Sequence, residues 1–253
     1  MSLFTDGPMS TIDDLRTHEN HVLEVATTEL VDVESKLRAS QNMVASALST
    51  FLARGSQAHA LDQQLTLKNV CVTEPLRQWH VFQTLHIVYR DMYGNQLSER
   101  YAQKAQEYGR LAAWASEMLF HAGVGLVREP IPKPSRPELS VVPAATGEAS
   151  VVVSVSWTGP GACLEGTPSD PVAITVPSGK TLEIRMGDAP VQVSGWNVFV
   201  GRVADQLTRQ NEIPLEAEAL WRLPVTGLVA GPKPGRGQSP DWYFRPDQVL
   251  QRG

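Results

Sequence analysis

Apolar residues recur at steps of three and four along the first half of the chain and at alternate positions along much of the second, which predicts helices followed by strands. Ser10 and Thr11, followed by Asp13 and Asp14, form a helix start with acids in the first turn. The apolar series Ile12, Leu15, Val22, Val25, Leu30, Val33 and Leu37, then Met43, Val44, Ala47, Leu48, Phe51 and Leu52, predicts two helices with a break near residues 30–35. Arg54-Gly55-Ser56 is read as the end of the second, and residues 65–72 as a short extended piece. Pro75 then opens a helix whose stripe is Leu76, Trp79, Phe82, Leu85, Tyr89 and Met92. Gly94-Asn95 offers a turn. Leu97, Tyr101, Tyr108, Leu111, Ala115, Met118 and Ala122 repeat the pattern until Gly123 and Gly125, so the pair is expected to be a long helical hairpin.

From residue 130 the grammar changes. Pro8 and Pro75 are the only prolines before residue 124, whereas proline and glycine recur every few residues afterwards and valine replaces leucine and glutamine. Strands are predicted at 149–157, 172–176, 181–186 and 196–200, with further ones at 139–142 and 220–224. The expected fold class is therefore α+β in two domains, an N-terminal α-helical bundle or hairpin and a C-terminal all-β sandwich of fibronectin-III or immunoglobulin type. The boundaries expected are 1–129 for the helical domain, 130–138 for a proline-rich linker, 139–231 for the sandwich and 232–253 for an extended tail.

Composition narrows the function. The chain has 253 residues, 42% hydrophobic, enough for two cores, and a net charge of −5 without long runs of one sign, which gives no basic footprint for nucleic acid. Residues 111–127 are interrupted by Ser116, Glu117 and His121, so a buried helix is expected rather than a membrane span. The opening MSLFTDGPMS has neither a basic nor an apolar signal region, so synthesis and action in the cytosol are expected. Cys71 and Cys163 are far apart in unlike segments and are read as two buried thiols.

Catalytic groups do not converge in the sequence. His18-Glu19-Asn20-His21 spaces its histidines three apart, not the four that place two zinc ligands on one helix face, and a polar helix face is the preferred reading. His80 and His86 flank the apolar stripe and His121 ends the fourth helix; satisfied or partly exposed histidines are expected. GPGAC at 159–163 follows a strand but lacks a phosphate loop's lysine and helix. Glu165, Asp170, Glu183 and Asp188 are read as scattered over loops of a small sandwich, so no paired-carboxylate chemistry is assigned. No catalytic residue, cofactor or metal is implied, and the chain is not expected to be an enzyme.

Aromatic residues remain. Trp157, Trp196 and Trp221 could stack on sugar rings, which makes a carbohydrate- or surface-binding protein the alternative function. Strand alternation instead places Trp196, Val198 and Val200 of VSGWNVFVG on one face, the expected core, and Asn197 and Phe199 on the other. Phe199 is thus an interface candidate, covered either by its own subunit or by a neighbour. Trp242, Tyr243 and Phe244, in a tail rich in proline and glycine, are candidates for anchors on a neighbouring subunit.

The phrases WTGPGACLEGTPSDPVAITVPSG, APVQVSGWNVFVG, LTRQNEIPL and GPKPGRGQSPD resemble fibronectin-III-like modules of tailed-phage virion proteins, in which an EG-x-PS-x-P stretch precedes a G-W/Y-N-V-Y-V-G strand. The segment VTEPLRQWHVFQTLHIVYRDMYGNQLSERYAQKAQEYGRLAAWASEMLFHAGVGLV is similar to helical proteins of the phage neck, of the head-to-tail adaptor or connector kind. The resemblance implies a virion protein in a cyclic homo-oligomer, a dodecamer in that family's pattern, with the portal on one side and tail or other neck proteins on the other. The sequence itself leads us to expect no membrane and no sequence-specific nucleic acid as partners. Such a ring repeats one heterologous interface and needs no active site.

Overall fold

A computed structural model describes residues 1–59, 65–144, 148–160 and 164–245, with side chains left aside at 56–59. The helices are α1 (Ile12–His18), α2 (Val22–Thr28), α3 (Val33–His59), α4 (Glu74–Gln96) and α5 (Glu99–Ala122). The strands are β1 (Val124–Leu126), β2 (Glu138–Pro143), β3 (Ala149–Thr158), β4 (Val172–Val176), β5 (Lys180–Arg185), β6 (Gly195–Gly201), β7 (Thr208–Arg209), β8 (Trp221–Arg222) and β9 (Trp242–Phe244). The order is α+β, helices first and antiparallel sheets after, as expected. The chain divides into two compact units: Gly7–Val127 with the segment from Pro240, and Met1–Asp6 with Arg128–Ser239.

In the helical unit Thr11 caps α1 through a capping box with Asp14, as the acids of that turn predict. Two helices were expected before residue 56 and three form, because the first run also breaks at residues 19–21. The break near residue 30 is real: Leu30 takes a left-handed conformation, φ 56°, between α2 and α3. Gly55 does not stop α3, which continues to His59. Gly94-Asn95 is not the hairpin turn either; α4 runs through it to Gln96 and the reversal falls on Leu97, φ 52°. Residues 67–69 form a 3-10 turn where an extended piece was expected, and only Val70 and Cys71 after it make bridges.

The expected stripe of α4 is buried throughout, and His80, Val81, Thr84, Ile87 and Val88 are buried beside it, so α4 is covered on more than one side. The buried line of α5 is Ala105, Tyr108, Ala112, Ala115 and Leu119. Leu97 and Met118, predicted for that line, are instead exposed at 74% and 48%. Cys71 is buried as expected; Cys163 lies outside the described residues. Among the described residues no helix is long and apolar enough to cross a membrane.

In the β unit the six predicted strands form and β7 was not anticipated; β1 and β9, also unanticipated, belong to the helical unit. One sheet has the order β2-β5-β8, the other β4-β3-β6-β7, and all pairings are antiparallel. A single apolar cluster draws on both sheets: Val153, Val155, Trp157, Trp196, Val198 and Val200 from one, Leu182, Ile184 and Trp221 from the other. Segment 131–137, expected as a linker, is built into this unit. Ile131 is 1% exposed within the cluster, its N–H donates to Gln238 Oε1 at 2.7 Å, and the Lys133 N–H donates to Asp6 Oδ1 at 2.9 Å. The first six residues, expected in the helical domain, belong here too. The Asp6 carboxylate accepts from the backbone of Leu3 and of Lys133 and from the Thr167 hydroxyl, which fixes the N-terminal turn on the β unit.

Candidate interface

Three of the four aromatic interface candidates lie in β9, and the glycines of β1 and α3 decide how they sit. Val124, Gly125 and Leu126 pair with Phe244, Tyr243 and Trp242. On its other side β1 is held by Cys71 N–H to Gly125 O, 3.0 Å, and by Asn69, which donates its side-chain amide to Val127 O at 3.0 Å. Residues 123–127, expected only to stop a helix, are thus the middle of a small ladder. Phe244 is 3% exposed and meets Phe51 edge-on at 5.7 Å, in a chain of rings that continues to Phe120 and Trp79. Its slot exists because residue 55 is glycine: a Cβ there would lie 2.2 Å from Phe244 Cζ. The tail aromatics were candidates for anchors on a neighbouring subunit, yet Phe244 packs within its own chain. Trp242 is half-buried against Phe244, and Tyr243 is 55% exposed. Arg245 Nε donates to Ala122 O, 2.6 Å, at the C-terminus of α5, where a cation suits the free carbonyls.

Phe199, the fourth candidate, is 1% exposed and so is covered within the described chain. Asn197 on the same face belongs to a buried polar network. Glu165 Oε1 accepts from Ser156 Oγ at 2.5 Å and from Asn197 Nδ2 at 3.0 Å, and Asn211 Nδ2 donates to Asn197 Oδ1 at 2.9 Å. Ser169 is the second anchor: Ser154 Oγ donates to its carbonyl at 2.8 Å, and its hydroxyl accepts the Val155 N–H at 3.1 Å. Asp170 pairs with Lys133 at 2.7 Å. Trp157 and Trp196, facing each other across β3 and β6, and Trp221 are 3%, 0% and 8% exposed, so none offers a ring face to a sugar. Trp196 spends its indole N–H on Glu216 O at 2.9 Å.

The titratable groups of the helical unit are engaged with one another. His80 is fully buried; its Nε2 donates to Leu37 O at 3.0 Å and its Nδ1 accepts from Ser10 Oγ at 2.6 Å, while burial holds its pKa below the usual value. His86 bonds the Ala105 carbonyl, as a satisfied histidine was expected to. The His18-Glu19-Asn20-His21 cluster does not gather: His18 packs edge-on against Phe82, His21 pairs with Glu24, and Glu19 turns to Lys104 at 2.5 Å and Tyr108 OH at 3.0 Å. Burial opposes the Glu19 charge, but the hydrogen bonds and the Lys104 ammonium outweigh it and hold the carboxyl below its usual range. Burial, and after it the Glu19 charge, pushes the Tyr89 and Tyr108 phenols up. Among the described residues no group of three or more His, Cys, Asp or Glu could hold a metal ion.

Sequence reasoning missed the apolar groups that remain outside. Leu30 is 91% exposed, Leu97 74%, Trp114 50% and Met118 48%. Trp114 and Met118 stand one turn apart on the outer side of α5, and periodicity alone assigns Met118 to the wrong side. No family model matches the chain, and no curated protein matches it.

Proposed function

We propose that this chain is a structural virion protein, a subunit of the head-to-tail adaptor ring that joins the portal to the tail, and that its β unit is a fibronectin-III-like sandwich. The observation that carries the reading is what the resembling phrases do. Glu165, Ser169 and Asp170 of LEGTPSDP tie their loop to β3 and to Lys133, Asn197 of GWNVFVG binds both Glu165 and Asn211 of LTRQNEIPL, and Gln238 of GPKPGRGQSPD receives Ile131 N–H. The phrases that resemble phage modules are therefore the mutual ties of one folding unit.

Strand order supports the sandwich type. The sheet β4-β3-β6-β7 follows the C′-C-F-G order of immunoglobulin-like sheets, and the β2–β5 pair takes the place of their B–E pair, with β8 alone in an unusual position beside β5. The chain's role in this reading is mechanical: a closed ring, proposed as a dodecamer, in which each subunit presents two complementary surfaces to its neighbours. The half-exposed Trp114 and Met118 supply the kind of apolar anchors such surfaces use. The particle neck is the proposed location; neither a membrane nor a specific nucleic acid sequence is a partner. Light scattering and negative-stain microscopy of the purified chain, alone and mixed with the portal protein of its particle, test the proposal. Closed rings that co-purify with the portal are expected. A chain that stays monomeric at every concentration and does not bind the portal overturns it.

A further inference from the structure

The outer edge of β2 is a hydrogen-bonding surface that the described chain leaves open. β2 ends its sheet, with β5 on one side and no strand on the other. Which groups point outward follows from the ladder, because in an antiparallel pair every second residue turns its N–H and C=O toward the partner. Ala144 N–H donates to Gly179 O at 2.9 Å, so in the same register Val142, Ser140 and Glu138 bond to β5. Leu139 and Val141 therefore point away from it. The far side of β5 agrees: Leu182, the residue opposite Val141, turns its carbonyl to Leu223 N–H, at 2.9 Å. Among the described residues nothing hydrogen-bonds to Leu139 or Val141 on the open side. Their side chains pack on the apolar cluster but stay half-buried, whereas Val153, Leu182 and Val198, on strands with a neighbour on each side, are fully buried. Pro137 and Pro143 take the next outward positions, and neither has an N–H to offer.

We infer that this edge pairs with the same edge of a second copy of the chain, antiparallel about a two-fold axis at Ser140. The outward pattern selects the occupant, because it is complementary to itself. With Ser140 facing Ser140, the Leu139 N–H meets the Val141 C=O of the copy and the Leu139 C=O meets its Val141 N–H, and the axis repeats both. Each positive partial charge on the open edge then faces a negative one, and no outward N–H or C=O of Leu139 or Val141 is left over. Other registers lose this. A shift by one residue sets outward groups against inward ones, and a shift by two brings Pro137 or Pro143 into the ladder opposite a carbonyl that it cannot satisfy. On the apolar side Leu139 lies beside the copy's Val141; on the outer side Glu138 faces Val142, so no like charges meet. A two-fold contact closes at two copies. It is thus distinct from the heterologous contact that a ring repeats, and it is open to the free chain whether or not a ring forms.

Disulfide trapping tests the pairing and its register. Ser140 is exposed, and residues facing each other in a pair without mutual hydrogen bonds have Cα atoms about 4.5 Å apart, within the roughly 4.4–6.8 Å that a disulfide spans. The full chain is used with Cys163→Ser, which leaves the buried Cys71 as its other thiol. Ser140→Cys is expected to cross-link into dimers under mild oxidation. Glu138→Cys and Val142→Cys, each on the order of 13 Å from its own counterpart, are not, whereas a mixture of the two is. Val141→Pro removes an outward N–H and none that bonds β5, so it keeps the fold and deletes two of the four hydrogen bonds across the axis. Trapping through Ser140→Cys should then fall by about tenfold or more. Denaturant unfolding checks that this variant is folded; if it is not, Ser140→Lys, which sets two cations face to face, takes its place and is read by the mixed cross-link. Trapping at 138 or 142 alone as fast as at 140 overturns the register. A Ser140→Cys chain that stays monomeric under oxidation, or trapping that a folded edge variant does not slow, overturns the pairing.

Discussion

The two units close themselves by different chemistry. In the helical unit distant segments meet through apolar shape: Phe244 reaches a slot over Gly55, and the rings of Phe51, Phe120 and Trp79 continue from it. In the β unit the apolar cluster fills one side of β3 and β6, while the other side is held by a carboxylate and side-chain amides around Glu165, Asn197 and Asn211. The difference matters for how each fails. An apolar slot tolerates partial loss, because a displaced ring can find another packing. A buried polar network leaves an unsatisfied donor wherever one member is removed.

The largest effect is expected where the β unit's own apolar cluster is hollowed. Trp196 is fully buried, pairs across the sheet with Trp157 and donates its indole N–H to Glu216 O. Trp196→Ala is expected to destabilise the β unit by about 3–5 kcal/mol, measured by denaturant titration with hydrogen exchange to assign the loss to 128–239. Retained stability together with lost glycan binding would instead favour the sugar-stacking alternative. Next comes the polar side. Glu165→Ala strands the Ser156 hydroxyl and the Asn197 amide at positions that are 0% and 2% exposed, and about 2–3 kcal/mol is the expected cost. Glu165→Gln, which retains an acceptor oxygen, should recover part of it. Equal effects of the two substitutions would show that the charge, not the acceptor oxygen alone, holds the loop.

Much of this is legible in the sequence, and the parts that are not share a cause. Strand alternation in GWNVFVG gave the right faces because a half-buried strand has a period of two with little drift. The capping box at Thr11 and the stripe of α4 were equally readable from local spacing. Gly55 and Gly94 misled, since a glycine inside a helix signals a stop unless one knows that Phe244, far along the chain, needs the space at Gly55. The same non-local pairing hid β1, whose three residues become a strand only beside β9. Asp6 was likewise invisible as an anchor of the β unit, because its partners at Lys133 and Thr167 are more than a hundred residues away. Phe199 could be assigned to a face by alternation, but not to a cover.

Acid sharpens the contrast, because the clearest depressed histidine belongs to the helical unit. His80 is held neutral by burial between Ser10 and Leu37 O, with its pKa below the ordinary value of 6.5. Unfolding frees it to bind a proton at that ordinary value, so the unfolded chain takes up more protons below pH 6.5 and stability falls as pH drops from there toward the folded pKa. The loss is expected to approach about 1.4 kcal/mol per pH unit within that window. Glu19, also depressed, contributes stability above 4.5 that is lost only at lower pH, as the folded carboxyl protonates. Hydrogen exchange at pH 5.5 and 7.5 should therefore show α1, α3 and α4 weakening with acid, and His80→Gln should remove the slope between them. An unchanged slope in that variant assigns it to another group.

The most local effect is expected at Gly55, where two terms oppose each other. Alanine improves helix propensity inside α3 by about 1 kcal/mol. The same methyl group meets the Phe244 ring at 2.2 Å, and that ring already makes edge contacts with Phe51 and Trp242. Expelling it exposes apolar surface worth about 2–3 kcal/mol. Gly55→Ala is thus expected to lower global stability by only about 1–2 kcal/mol while the β9 amides, residues 242–244, lose most of their exchange protection. Phe244→Ala should release β9 without the helical gain, and so cost more. If Gly55→Ala instead stabilises the chain with β9 still protected, the ring turns aside within its slot. The apolar closure of the helical unit is then more forgiving than the polar closure at Glu165, and the contrast between the two units widens.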